Sequence, residues 1–327
     1  MGKKKERDKG PETIRICMVG LGSIGKRHIK NLVKVIVSHD KSYIIDALRS
    51  SKKELPDDVR ELISEEFYDY EELPSDYDII LITNPTFGHF EAIAKTAQKA
   101  GAFFVEKPLF EHNRYDWKSL PFRKDSIYYV ACPLRHKSIL QYVKSKVCAK
   151  EKIYAARAIS SSYLPSWRPG ADYRQVYSAR KELGGGVALD LIHEWDYLTY
   201  LFGMPKEVKC IQKHASDLEI NCEDIACYIA GYQDKTIEIH LDYFGRKSTR
   251  KLELYCENHT ITVDLLKNTI QYESDESTVE NKIEFPKEDL YVNEMRYFYD
   301  VVTGRQENMN SIEHASEVLK LTCINTV

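Results

Sequence analysis

The sequence predicts an α/β protein in two parts: a doubly wound parallel sheet, followed by an α+β domain with an open, mostly antiparallel sheet. Two rhythms carry this expectation. Up to about residue 133, short apolar β-rich runs alternate with helical segments; beyond about residue 150, β-like segments follow one another with short turns. The first rhythm builds a parallel sheet covered by helices, and the second pairs successive strands antiparallel. A chain of 327 residues also suits two domains better than one core. The expected division is a disordered basic tail over 1–12, a first domain over 13–133 and a second over 134–327, with C-terminal helices able to pack back on the first.

The elements follow in order. Residues 13–19 form an apolar strand, and 24–37 a helix with apolar residues at Ile24, Ile29, Leu32, Val33 and Ile36. Residues 43–48 are the second strand, 57–67 a helical patch, 77–83 a buried strand and 89–100 a helix stopped by Gly101. Strands over 102–105 and 127–131 complete the first sheet. In the second part the expected strands are 152–159, 207–213, 224–232, 236–243, 251–256 and 260–265. Helices over 187–202 and 288–302 would cover one face of that sheet, and a last helix spans 311–322.

Composition narrows the function classes. The chain is 43% hydrophobic with 22 tyrosines and a net charge of −3, so it carries no broad cationic field for nucleic acid. Lys3, Lys4, Lys5, Arg7 and Lys9 precede Pro11 and read as a solvated start of the chain. No apolar run approaches the ~20 residues of a membrane span. Eight cysteines include no CxxC pair, and Cys222 and Cys227 have no matching ligands nearby in sequence. Reduced thiols, a cytoplasmic location and no metal are therefore expected.

Gly20-Leu21-Gly22-Ser23-Ile24-Gly25 joins the first strand to the first helix. A glycine at 20 makes the tight turn, one at 22 lets the backbone approach a pyrophosphate, and one at 25 lets helix and strand pack closely. The helix N-terminus then faces the phosphate charge. Strand before and helix after supply the context a dinucleotide cradle requires. S-adenosylmethionine methyltransferases share a similar turn, so the cradle alone does not choose a chemistry.

Two later stretches do. Glu106-Lys107-Pro108 follows an apolar strand, where partial burial lowers a lysine's pKa toward use in proton transfer. Gly184-Gly185-Gly186 runs into Asp190 and His193; the three glycines allow a backbone to pass close to a ligand. Asp190 and His193 stand three apart on one helical face, and a carboxylate beside an imidazole suits a general base for an alcohol. Asp196 is a rival partner for the imidazole. Trp167, Arg168, Tyr173 and Arg174 fall in a Pro/Gly loop and are residue types that stack on and hydrogen-bond sugars.

Together these stretches resemble the glucose–fructose oxidoreductase / inositol dehydrogenase / MocA family of NAD(P)-dependent oxidoreductases. The likeness is nearly unbroken over TNPTFGHFEAIAKTAQKAGAFFVEKPL. It implies a Rossmann domain and a substrate-binding, oligomerisation domain. Asn84, Pro85 and Thr86 would border the cofactor's ribose and phosphates, with Ser23, Ile24 and Glu106 also on the cofactor. His89 has a structural place at a helix start. Lys107 would lie between nicotinamide ribose and substrate, and Asp190 and His193 would complete the catalytic set. Arg135 and His136 would face the substrate, and Trp-Arg-Pro loops like that at Trp167 occur in relatives acting on sugars and nucleotide-sugars. The family more commonly places three residues, not two, between the aspartate and histidine. The resemblance also implies a homo-oligomer, dimer or tetramer, through the open sheet, where Tyr228, His240 and Tyr243 are candidates for an interface or for plain surface.

The implied activity is hydride transfer between NAD(P) and a hydroxyl or keto carbon of a sugar, inositol or nucleotide-sugar. The alternative is a dinucleotide-binding sensor without turnover. Cofactor choice rests on the end of the second strand, where a carboxylate grips the ribose of NAD and a cation accepts the 2′-phosphate of NADP. Asp46 lies 21 residues after Gly25, but Ala47 and Leu48 continue the apolar run, which places Asp46 inside the strand. Arg49 and Ser50, with Lys52 or Lys53, would then meet the phosphate. The expectation is NADP, with NAD if Asp46 is the true ribose ligand.

Overall fold

The computed structural model describes residues 13–274 and 277–322, without the side chains of 275–281. The basic tail expected over 1–12 and Cys323 lie outside the described residues. The chain forms two compact units, one holding residues up to Glu106, Asp116–Ala131 and Tyr291–Ser311, the other Lys107–Tyr115, Cys132–Leu290 and the chain from Ile312.

The first unit begins with β1 (Thr13–Val19), α1 (Ser23–Val37), β2 (Ser42–Leu48), α2 (Asp57–Arg60) and β3 (Glu65–Phe67). It continues with β4 (Tyr77–Ile82), α3 (His89–Thr96), β5 (Ala100–Val105) and β6 (Ile127–Val130). The sheet order is β3-β2-β1-β4-β5-β6, with every neighbouring pair parallel. This is the doubly wound order, and the order of winding reverses between β1 and β4 while all strands stay parallel. Ile16 to Val19, Ile79 to Ile82 and Ala102 to Val105 are buried in unbroken runs, because both faces of a parallel sheet are covered. Ile29, Leu32, Val35 and Ile36 give α1 its inward stripe.

Two expectations here need correction. The helical patch over 57–67 is a single turn, α2, followed by the edge strand β3, which pairs with Asp46 to Leu48 of β2. Three residues are too few for periodicity to mark a strand; tertiary pairing decides it. The helix expected to run to residue 100 ends at Thr96, and Gly101 lies within β5 instead of stopping a helix. Ala100 is drawn into the sheet by pairing with Tyr77.

In the second unit come α4 (Ser138–Tyr142), β7 (Ile153–Tyr163), α5 (Val187–Asp190), α6 (His193–Phe202), β8 (Glu207–Lys213), β9 (Ile225–Gly231) and β10 (Thr236–Asp242). They are followed by β11 (Phe244–Cys256), β12 (Thr260–Asp264), β13 (Thr269–Ser274) and β14 (Ser277–Glu284). Then α7 (Leu290–Val302) returns the chain to the first unit, and α8 (Ile312–Thr322) to the second. The eight strands run β14-β13-β12-β11-β7-β10-β9-β8, and β7–β10 is the parallel pair in an otherwise antiparallel sheet. The sequence pattern predicts neither β13 nor β14, which pair antiparallel at the sheet edge.

Alternation along β9 and β10 separates two faces: Ala226, Tyr228, Ala230, Ile237, Ile239 and Leu241 are buried, while Ile229 is 48% exposed. α5 packs on β9 and β10, and α6 on α8. Tyr228 and Tyr243 therefore do not serve an outer surface. Both are buried, and Trp195 of α6 meets Tyr228 edge-on at 5.2 Å. His240 does lie on the outer face, bonded to Asp242 at 2.8 Å.

Candidate active site

The turn after β1 has the shape a dinucleotide needs. Gly20 has φ +89°, and a Cβ there would stand 2.8 Å from the Asn84 backbone. A Cβ on Gly25 would meet the Gly20 carbonyl oxygen at 2.5 Å and Thr83 Oγ1 at 2.6 Å. Gly22, between them, has nothing within 4 Å of the Cβ position. It is also the N-cap of α1, with no side chain capping the first-turn N–H groups. Open space at the middle glycine and uncapped donors at Ser23 and Ile24 fit a pyrophosphate. Thr83 Oγ1 donates to the Gly20 carbonyl at 2.7 Å, tying β4 to the cradle. Asn84 Oδ1 is buried with no hydrogen-bond partner among the described residues, a polar atom available to a ligand. Pro85 precedes the turn Thr86–Gly88, and Thr86 is buried. His89 Nε2 pairs with the Asn84 carbonyl at 3.0 Å, a structural role at the start of α3.

At the edge of β2, Asp46 is buried inside the strand, where it accepts a hydrogen bond from Tyr77 Oη at 2.9 Å and lies 3.6 Å from Arg15 Nη2. Burial raises its pKa, opposed by Tyr77 and Arg15. Arg49 is the first residue past the strand, and Ser50 follows. The Arg49 guanidinium is not free for a phosphate: Nη1 pairs with Glu66 Oε2 at 2.5 Å and Nη2 donates to the Lys53 carbonyl. β3, which delivers Glu66, is the strand the sequence reading lacked.

Glu106 follows β5 and is buried against His28 Nε2 at 2.5 Å. His28 stands one helical turn past Gly25 and was not expected in the site; its ring lies 4.8 Å from Phe104. Glu106 thus fixes the strand end after which Lys107 and the cis-bonded Pro108 follow.

Lys107 belongs to the second unit, and there the structure brings it to Asp190. Its Nζ donates to the Asp190 backbone carbonyl at 3.1 Å and lies 3.7 Å from Oδ1. The carboxylate also accepts from Tyr177 Oη and, at 3.1 Å, from Tyr243 Oη. Neither tyrosine was expected in this role; they lie 13 and 53 residues from Asp190 in the chain.

The anticipated helical pair of Asp190 and His193 takes a different form. The predicted helix is broken: Asp190 ends α5, Leu191 leaves helical geometry at φ −94° and ψ 26°, and His193 opens α6. No hydrogen bond or ion pair joins Asp190 to His193 among the described residues. Burial, reinforced by the positive charges of Lys107 and Arg250, drives the His193 pKa well below its ordinary value. The imidazole is therefore neutral at pH 7, the form that accepts a proton. Asp196 is no rival partner for it, because its carboxylate pairs with Arg135 at 3.0 and 2.7 Å.

The glycines before α5 serve the fold. A Cβ on Gly185 would stand 2.3 Å from the Tyr177 carbonyl oxygen, and one on Gly186, at φ +116°, 2.3 Å from the Glu223 carboxylate. Both let the chain pass its own neighbours, a packing requirement beyond the close approach to a ligand expected of them. Arg135 is likewise corrected: it is 2% exposed, paired bidentately with Asp196 and bonded to His314 Nε2 at 2.9 Å. A guanidinium held this way does not face the substrate. His136 beside it is buried, with its pKa pushed down to about 3 by burial first and Arg135 second.

Trp167, Arg168 and Tyr173 line one shallow pocket with Leu164, Pro165 and Val176. Trp167 donates to Ser162 Oγ at 2.9 Å and meets Tyr243 edge-on at 5.3 Å. Through Tyr243 this loop is coupled to Asp190. Arg174 is held by Asp172 and Glu219, each at 2.8 Å.

Comparison with known proteins places this architecture. Residues 14–120 match the family model "Oxidoreductase family, NAD-binding Rossmann fold", and residues 146–262 match the GFO/IDH/MocA C-terminal domain. A scyllo-inositol 2-dehydrogenase (NAD(+)) of Bacillus subtilis (strain 168) is 33% identical over 97 residues, which span 29% of this chain and 28% of that enzyme. UDP-N-acetylglucosamine 3-dehydrogenase GnnA from Acidithiobacillus ferrooxidans shares the fold at a TM-score of 0.74 and 17% identity, over 95% of both chains. Levoglucosan dehydrogenase in complex with NADH superposes with a TM-score of 0.78 at 14% identity, again over 95% of both. The family model and the inositol enzyme name NAD, and none of these relatives supports the NADP preference expected from Arg49. No described helix is long and apolar enough to cross a membrane. With residues 14–120 of its Rossmann domain and residues 146–262 of the second domain both matched, the chain belongs to the GFO/IDH/MocA family of oxidoreductases.

Proposed function

We propose that the protein is an NAD-dependent dehydrogenase acting on a CH–OH group of a sugar, inositol or nucleotide-sugar. The observation that carries this reading is the cluster of Lys107, Asp190, Tyr177 and Tyr243 within the unit that also holds the neutral His193. Bound NAD supplies the hydride acceptor in oxidation, and its reduced form the donor in reduction. The protein's own part is proton transfer and substrate placement.

In oxidation, His193 in its neutral form accepts the hydroxyl proton; burial first, then Lys107 and Arg250, disfavour the imidazolium, so the ring holds that proton only in passing. Asp190 holds the Lys107 ammonium in place through its carbonyl and carboxylate. Lys107 donates a hydrogen bond to the substrate oxygen and steadies the charge that develops there. In reduction the same groups return the proton. Trp167, Arg168 and Tyr173 present an aromatic face and a cation for the rest of the substrate. The names of the relatives, a scyllo-inositol, a UDP-N-acetylglucosamine and a levoglucosan dehydrogenase, support the polyol class. The chemistry takes place in the cytoplasm, in a homo-oligomer formed through the open sheet, whose outer face exposes Ile211 and Ile229.

The one feature behind a dinucleotide sensor without turnover is the two-residue spacing between Asp190 and His193; against it, a sensor needs no ammonium held on Asp190. The test is a panel of inositols, free sugars and nucleotide-sugars, followed at the reduced-nicotinamide absorbance, with Lys107→Ala/His193→Ala beside the parent protein. Turnover in the parent and none in the double variant, with NAD still bound by both, supports the mechanism. Equal turnover in the two overturns it.

A further inference from the structure

We propose that Glu66 sets the cofactor preference: by holding Arg49 in an ion pair at the edge of β2, it makes the site select the ribose 2′-hydroxyl of NAD over the 2′-phosphate of NADP.

The register brings the pair to the cofactor side of the sheet. Leu48 and Phe67 end their strands opposite each other, and the Arg49 amide donates to the Phe67 carbonyl at 2.9 Å. On the other flank, the Gly20 amide donates to the Leu48 carbonyl at 3.0 Å, so this edge adjoins the first glycine of the cradle. The residue just past the end of the second strand of such a domain is placed to meet the adenosine ribose. Here it is Arg49, whose Nη1 lies 2.5 Å from Glu66 Oε2 and whose Nη2 is taken by the Lys53 carbonyl. Tyr68 Oη donates to the same Glu66 oxygen at 2.7 Å, and Lys52 lies over the Tyr68 ring at 5.3 Å. The side chains are 9% and 20% exposed for Arg49 and Glu66, so solvent screens the pair only partly.

The consequence differs between the two cofactors. NAD asks nothing of Arg49, and a ribose hydroxyl can donate to a carboxylate as it stands. A 2′-phosphate adds nearly two negative charges and strong acceptor oxygens. To meet it, Arg49 must leave Glu66, and the abandoned carboxylate then repels the phosphate. Without the Glu66 charge, Arg49, Lys52 and Lys53 would form an ordinary phosphate site. Glu66 therefore turns what the local sequence writes as an NADP site into one for NAD.

The inference rests on the dinucleotide reading of the Gly20–Gly25 turn. The test measures equilibrium binding of NAD+ and NADP+, by calorimetry at one fixed ionic strength, to the parent, Glu66→Gln and Glu66→Gln/Arg49→Ala. Circular dichroism confirms folding, and Glu66→Ala replaces the amide variant should that one fold poorly. The parent is expected to bind NAD+ more tightly. Glu66→Gln should tighten NADP+ about tenfold or more while NAD+ stays within about threefold. Adding Arg49→Ala should cancel the gain. NADP+ binding unchanged in Glu66→Gln, a gain that survives loss of Arg49, or a parent that already prefers NADP+ each overturns the proposal. A folded parent that binds neither cofactor overturns the dinucleotide reading itself, and this inference with it.

Discussion

The Lys107 ammonium donates to the Asp190 backbone carbonyl at 3.1 Å while lying 3.7 Å from the carboxylate of the same residue. One aspartate therefore grips the lysine twice, and it does so with its carboxylate already anchored by Tyr177 and Tyr243. The lysine is positioned by parts of the chain that the glycine-rich stretch alone does not reveal.

Under the proposed mechanism, removing either the hydrogen-bond donor Lys107 or the base His193 should cost most of the rate. Lys107→Ala and His193→Ala are each expected to lower kcat by about 10²–10⁴, the usual share of positioned acid–base groups, and the double variant by less than the product. Steady-state kinetics with the substrate found in the sugar panel measures this. A loss confined to KM would show that the two groups only bind substrate.

Tyr243→Phe tests the anchor of Asp190. The hydroxyl is fully buried and bonded to a carboxylate, and such bonds contribute about 1.5–3 kcal/mol. Its unfolding free energy from urea titration should fall by about that amount, and the rate should drop through a less ordered Asp190. Unaltered stability in chemical denaturation would contradict the geometry.

Two of the cradle glycines, Gly20 and Gly22, should separate in their effects. Gly20→Ala places a Cβ 2.8 Å from backbone at φ +89° and should destabilise the fold by about 1–3 kcal/mol. Gly22→Ala enters open space and should leave stability within about 0.5 kcal/mol while weakening NAD binding tenfold or more. Denaturation and calorimetry on the two variants distinguish a turn requirement from a ligand requirement.

Breaking the Arg135–Asp196 pair should hurt the fold more than the chemistry. Asp196→Ala leaves a buried guanidinium without its bidentate carboxylate, a change that costs about 3–5 kcal/mol. A variant with full stability and a raised KM would restore Arg135 to the substrate site.

Acid sensitivity follows from His136. Its folded pKa is about 3 against about 6.5 unfolded, so the unfolded chain binds a proton that the folded chain refuses as pH falls below 6.5. Stability should then decline by about 1.4 kcal/mol per pH unit from this residue between roughly pH 6 and 3. Above pH 6.5 the effect vanishes. His136→Gln should flatten that slope in urea titrations at pH 7, 6 and 5.

What the sequence determined by itself is the part written in local pattern. Continuous apolar runs such as Ile79 to Ile82 specify covered parallel strands, and the strand–glycine–helix order from Thr13 to Val37 specifies the cradle. Asp46 could be placed inside β2 because Ala47 and Leu48 continue the run. What only the tertiary structure decided is which partner each polar group takes. Arg49 read as a free cation because Glu66 lies 17 residues away on a strand of three residues. Asp190 read as the partner of His193 because they are neighbours, yet its carboxylate goes to Tyr177, Tyr243 and Lys107. Arg135 read as a substrate ligand until Asp196, 61 residues on, claimed it. Periodicity reports which face of an element is apolar; a buried charge must find its counter-charge wherever the folded chain brings one within about 3 Å, and that choice is made in space, between residues with no fixed spacing in sequence.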